Sequence, residues 1–252
     1  MTPSHLIQDA SQWLDERFSG PRMGEVDFKE ALATFEARWP VHDVIDAFAN
    51  DFEQLNGLAT RTYRHRNGFD RFELFPSINA AYGLRLHVWW GNNGEYRENV
   101  HGHPWDFASK VLVGQLHFEQ FIEAEWGEVF EIAEYAGPNG NQTYKLNFTG
   151  NTTLYRIFRS SHLAGTNYYA GHELIHRVWT DPGQPTITLM LRGEGHAYPA
   201  RVFFEPGSHR YIEGEHRREW PKVEALRAKL LQIRSLINDR PPKPDCTETV
   251  IA

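Results

Sequence analysis

The sequence predicts a mainly β protein, a barrel or sandwich of short strands with helices added at the N-terminus and one helix near the C-terminus. Three observations carry this. Up to about residue 58 the apolar residues recur at helical spacing. From about Thr60 the period changes to the alternation of strands, in short runs punctuated by Gly, Pro and Asn. After Pro221 a helical stripe returns. The corresponding division is a helical addition over 1–58, a β-barrel over 59–210, and a helix with its tail over 211–252.

Ser4 is placed to cap a first helix carrying Leu6, Ile7, Ala10, Trp13 and Leu14. Asp27 is placed to cap a second with Ala31, Phe35 and Trp39, stopped by Pro40. Asp43 to Leu55 reads as a third, with Val44, Ile45, Phe48 and Phe52 on one stripe and Gly57 beyond its end. Phe69–Phe75 is the first strand, closed by Pro76. In Leu84–Trp90, Leu84, Leu86, Val88 and Trp90 share one face, while Arg85, His87 and Trp89 share the other. The run Gly91–Gly94 is a turn signal. Further strands are expected at Phe107–Val113, Leu116–Ile122, Val129–Tyr135, Thr143–Phe148, Thr153–Phe158, Leu174–Thr180, Thr186–Leu191 and Ala200–Phe204. Such spacing suits an all-β closed or double-sheet architecture. The last helix is expected over Pro221–Ile237, with Pro241 and Pro242 after it.

The 252 residues carry a net charge of -7, which argues against a nucleic-acid surface. The single cysteine, Cys246, excludes an intrachain disulfide framework and a Cys-based metal site, and fits a reducing compartment. No apolar run is long enough for a membrane span and no signal peptide is evident, so a cytoplasmic protein is expected.

The most informative stretch is His101-Gly102-His103. Two histidines one residue apart on a strand share a face. A third histidine on a partner strand completes a set of imidazole ligands for a divalent transition metal, with positions left for substrate or dioxygen. His176 and His172, in Gly171-His172-Glu173-Leu174-Ile175-His176, compete for that third place. They stand four apart and are expected to share a strand face, one binding metal and the other meeting substrate. The same stretch matches H-E-x-x-H, a zinc-protease signature that works only on a helix. Gly171 and the β-prone Val178-Trp179-Thr180 weigh against that helix.

These residues resemble the cupin superfamily. Its first motif is a Gly, a His-x-His pair, a Glu and a closing Gly. His101, His103 and Gly114 match; the Glu position is Phe107, and the leading Gly falls on Glu95, one residue after Gly94. In the second motif His176 is the natural match, while Gly171 and Glu173 stand where Pro and Gly are expected. The resemblance covers Gly83 to Phe204 and implies a cupin (double-stranded β-helix, jelly-roll) barrel. Losing the Glu resembles the three-histidine subset, notably thiol dioxygenases acting on cysteine and related thiols, and a diketone-cleaving dioxygenase. It implies metal ligands His101, His103 and His176, an Fe(II) ion with Ni(II) or Mn(II) as alternatives, and a small-molecule substrate together with dioxygen. The Cys–Tyr crosslink of the mammalian cysteine enzymes is not expected, because Cys246 is far from the barrel in sequence. The alternatives are a metal-dependent isomerase or lyase and a non-catalytic ligand-binding cupin. A homodimer is compatible with either class; nucleic-acid and membrane partners are not expected.

Arg85 is the first choice for a substrate carboxylate, since a guanidinium matches that group bidentately. Arg156 and Arg192 are weaker alternatives. Tyr169, or Tyr168 beside it, is expected to bring a hydroxyl near the metal, and His172 to meet substrate. Asp106 is either a ligand, a partner to an imidazole N–H, or a turn cap. His117 and Glu119 are placed at the barrel edge.

Overall fold

The computed structural model describes residues 2–91, 97–136, 143–208 and 216–239. Four helices come first: α1 (Pro3–Arg17), α2 (Glu25–Arg38), α3 (Val41–Asn50) and α4 (Phe52–Ala59). Their caps explain where they start. Thr2, not Ser4, caps α1, its hydroxyl accepting from the His5 amide at 3.4 Å. The Ser4 hydroxyl donates instead to the Asp51 carboxylate. Asp27 lies inside the first turn of α2, where its carboxylate accepts from the Gly24 amide at 3.0 Å. The single helix expected over 43–55 is two. Asp51 is extended, at φ -115° and ψ 113°, and its carboxylate caps α4 by accepting from the Gln54 amide at 3.1 Å.

Twelve strands follow among the described residues. They are β1 (Thr62–Arg64), β2 (Asp70–Pro76), β3 (Gly83–Trp89), β4 (Val100–His101), β5 (Phe107–Val113) and β6 (Gln115–Ala136). Then come β7 (Thr143–Leu163), β8 (Asn167–Ala170), β9 (Ile175–Thr180), β10 (Thr186–Arg192), β11 (Arg201–Phe204) and β12 (His216–Arg217). Helix α5 (Val223–Asn238) closes the described chain. The expected mainly β fold with N-terminal helices and a C-terminal helix is the fold observed. Pro241, Pro242 and Cys246, and most of the Gly91–Gly94 turn with Glu95, lie outside the described residues.

The strands form two antiparallel sheets, β1-β2-β3-β10-β5-β8 and β11-β4-β9-β6-β7-β12. From β3 to β11 the chain passes back and forth between them. The inner order β3-β10-β5-β8 against β4-β9-β6-β7 is that of an eight-stranded jelly roll. Strands β1, β8 and β12 were not anticipated. The four strands expected between Leu116 and Phe158 are two long ones. Gly127 separates the first pair in sequence, but it makes a bulge rather than a turn. Its φ is +142°, and Leu154 pairs with both Glu123 and Glu128 across it.

The helices cover one face of the first sheet. Phe35, Phe48, Leu55 and Leu226 pack with Leu84, Leu86 and Val88 of β3 and with Leu189 and Leu191 of β10 in one buried cluster. The opposite face of β3, with Arg85, His87 and Trp89, lines the space between the sheets. The alternation read from Leu84–Trp90 therefore separates core from lumen.

Gly114 joins β5 to β6 at φ +74°, and a Cβ there would stand 2.4 Å from the Pro185 carbonyl oxygen. Gly114→Ala is expected to lower the urea midpoint by an amount equivalent to roughly 1–3 kcal/mol, from backbone strain and this contact. An unchanged midpoint contradicts that account.

Candidate metal centre

β4 and β9 are antiparallel neighbours, and His101 faces His176 directly across them. This pairing joins two segments far apart in sequence. Their ring centroids are 4.5 Å apart. His103 lies just past the end of β4, on a segment held by the Gly102 amide donating to the Arg201 carbonyl at 2.9 Å. Its ring is 4.7 Å from His101 and 5.2 Å from His176. One nitrogen from each of the three lies within 4.8 Å of the others. His101 and His103 are neighbours, as expected for a shared strand face, although β4 itself ends at His101.

The electrostatics suit ligation. Burial disfavours the imidazolium and holds His103 and His176 well below the ordinary histidine value. His101 is lowered too, by burial, against an opposing bond to the Asn99 carbonyl. That carbonyl, 2.8 Å from His101 Nδ1, can only accept. Nδ1 therefore carries the proton and leaves the Nε2 lone pair available. His176 Nδ1 is buried without a hydrogen-bond partner. Three neutral imidazoles, one with an orphaned nitrogen, fit a divalent transition metal.

The triad lines a cavity of about 820 Å³ between the sheets. Arg85 lines it as well, but it is not the free cation that its strand position implied. Its Nε donates to both Glu73 oxygens, at 2.9 and 3.0 Å. Burial and the nearby Arg71 pull Arg85 down to about 9, outweighing Glu73. Burial also opposes ionisation of Glu73, yet Arg85 and Arg71 overcome it and bring that carboxyl to about 2. The two terminal nitrogens of Arg85 make no hydrogen bond among the described residues, so half of its fork is open.

Glu98 is not among the residues that the sequence singles out, and Glu119 lies deeper than expected. Glu98 lines the cavity with its carboxylate 3.9 Å from His101 Nε2, and burial raises it to about 8. No lysine or arginine among the described residues forms an ion pair with it. Glu119, placed at the barrel edge by sequence, is fully buried and accepts from Arg177 at 2.6 Å and Arg156 at 2.7 Å. Nothing in an isolated sequence separates such acids from surface ones; the pairing of β6 with β7 and β9 places Glu119, and the Glu98 amide, donating to the Val178 carbonyl at 3.1 Å, sets Glu98 beside β9.

Other expected site residues lie elsewhere. His172 is not on the β9 face of His176. The Leu174 amide donates to the Gly171 carbonyl at 3.0 Å, and the resulting turn carries His172 away. Its Nδ1 meets Asp106 at 2.8 Å, and its ring stacks on His196 at 3.7 Å. Asp106 is thereby committed outside the triad. Tyr169 also misses the lumen. In β8 consecutive side chains point to opposite faces, so Tyr168 lines the cavity while Tyr169 packs toward Phe28, 6.1 Å away. Arg156 is taken by Glu119, and Arg192 donates to the Ala80 and Gly193 carbonyls. The H-E-x-x-H stretch is a turn followed by a strand, not a helix.

No family model and no curated protein sequence matches the chain. Among solved structures, a RmlC-like cupin from Shewanella frigidimarina is 12% identical, with a TM-score of 0.32 over 54% of this chain and 85% of that one. Oxalate oxidase is 15% identical, with a TM-score of 0.32 over 67% of this chain and 75% of that one. Drosophila melanogaster CENP-C bound to CAL1 is 9% identical, with a TM-score of 0.34 over 52% of this chain and 75% of that one.

Proposed function

We propose that this chain is a metal-dependent oxygenase that binds an anionic small molecule inside the barrel. The observation that carries this reading is a triad of buried, neutral imidazoles opening onto the same 820 Å³ lumen as a half-open buried guanidinium. His101, His103 and His176 would hold the ion, Fe(II) first and Ni(II) or Mn(II) as alternatives. A divalent ion on three neutral ligands supplies Lewis acidity and open coordination positions. The Arg85 terminal nitrogens orient an acidic group of the substrate toward the triad. Amino acids and thiols such as cysteine, the substrates that the missing Glu at Phe107 implied, make the first panel to test.

One observation favours a second reading, a metal-dependent isomerase or lyase. Glu98 is a carboxyl with no lysine or arginine partner among the described residues, on the lumen wall beside His101. In that role it would move a proton on the substrate, without oxygen.

Elemental analysis of purified protein, followed by oxygen-electrode traces with ferrous ion and a panel of acids and thiols, tests both. Bound metal with substrate-dependent oxygen uptake is expected. Bound metal with turnover but no oxygen uptake moves the assignment to the second reading. Protein that retains no metal under any loading condition removes both.

A further inference from the structure

The lumen is large for cysteine. Its volume of about 820 Å³ lies toward the upper end of the ~300–1,000 Å³ typical of cavities that enclose drug-sized ligands. A thiol amino acid would leave most of it wet.

The walls are rich in donors, although two buried nitrogens on them that lack partners, His87 Nε2 and His176 Nδ1, can donate or accept. Arg71 Nε, Trp89 Nε1 and Trp105 Nε1 are buried, lack hydrogen-bond partners and belong to side chains lining the cavity. All three can only donate. The terminal nitrogens of Arg85 add more donors. Among the described residues lining the lumen, no buried side-chain oxygen lacks a partner. Buried donors without acceptors are costly, so a ligand rich in acceptor oxygens relieves them. The charge balance agrees: Arg71 and Arg85 share the single carboxylate of Glu73.

The walls are also aromatic near the triad. Trp105 stacks on His103 with centroids 5.1 Å apart, and Arg85 stands over the Trp105 ring at 5.5 Å. Phe107 is 5.6 Å from His103, and Tyr168 is 6.2 Å from Phe107. The guanidinium and one imidazole of the triad thus both adjoin the Trp105 ring, and a flat ligand can span the distance between them.

We propose that the substrate is a planar aromatic carboxylic acid, with its carboxylate on the open fork of Arg85, its ring beside Trp105, and its reacting carbon toward His101, His103 and His176. This rests on the lumen being the substrate site of the proposed enzyme.

Isothermal titration calorimetry of the wild-type protein, metal content assayed on the same sample, decides it. The probes are 2-naphthoate, its uncharged amide, its saturated decahydro acid, and cysteine. Naphthoate is expected to bind roughly 10- to 100-fold more tightly than the amide, the difference associated with a charged hydrogen bond. It should also outbind the saturated acid, and cysteine should not displace it. Arg85→Lys keeps the charge and loses the fork, and should weaken naphthoate toward the amide's affinity. Equal binding of acid and amide, equal binding of flat and saturated acids, displacement by cysteine at comparable concentration, or no naphthoate binding each overturns the proposal. Metal-loaded protein that ignores naphthoate fails this inference alone. Metal-free protein that binds it fails the enzyme assignment alone.

Discussion

Purified His103→Ala protein is expected to retain essentially no metal while keeping its fold. The same result is expected for His101→Ala and His176→Ala. Each imidazole supplies one of the three nitrogen donors of this cluster, which lie within 4.8 Å of one another. Removing a mere supporting partner of a ligand costs about 10- to 100-fold in metal affinity, and removing the ligand itself costs more. The fold is spared because these side chains line a cavity instead of filling the helix-backed core around Leu84, Leu86 and Leu189. His172→Ala is the control. Its ring lies with Asp106 and His196, outside the triad, so metal should be retained in full. Metal per chain by elemental analysis and far-ultraviolet circular dichroism check the set. Full occupancy in His103→Ala, or loss of metal from folded His172→Ala, would show that the ion binds elsewhere.

The contrast between His172 and His176 shows what a sequence carries. Period and punctuation located most elements, because the alternation in Leu84–Trp90 and the stripe of Val44, Ile45 and Phe48 are local properties. The His101–Gly102–His103 cluster was legible for the same reason. What failed depended on a single backbone event or on a distant partner. One hydrogen bond, Leu174 to Gly171, turns His172 out of the β9 face. A one-residue choice of face in β8 separates Tyr168 from Tyr169, and two adjacent tyrosines give no means to make it. Arg85 was placed on the correct face, yet its commitment to Glu73 follows from the pairing of β2 with β3, where Glu73 and Arg85 are direct partners. Glu98 and Glu119 became visible only once β9 was in place beside them.

Glu73→Ala is expected to destabilise the protein by about 3–5 kcal/mol at neutral pH, the usual cost of removing one partner from a buried ion pair. Glu73 is 7% exposed. Arg85 Nε bonds both of its oxygens, Arg71 forms a second ion pair with it, and Arg192 adds attraction. Without the carboxylate, like-charged guanidiniums face one another in a low-dielectric wall. The pH dependence has a definite sign. The folded carboxyl titrates at about 2 against an ordinary value of 4.5, so its stabilisation is fully present above 4.5 and is lost as pH falls through 2. Linkage sets that loss at about 3 kcal/mol. The alanine variant has no such group to protonate. The stability gap between wild type and variant, from denaturant unfolding at several pH values, should therefore be widest above pH 5 and should narrow by about 3 kcal/mol toward pH 2. A gap that stays constant across that window would mean that Glu73 acts by packing alone. The open half of the Arg85 fork would then owe its position to the strand and its neighbours, and not to the carboxylate behind it.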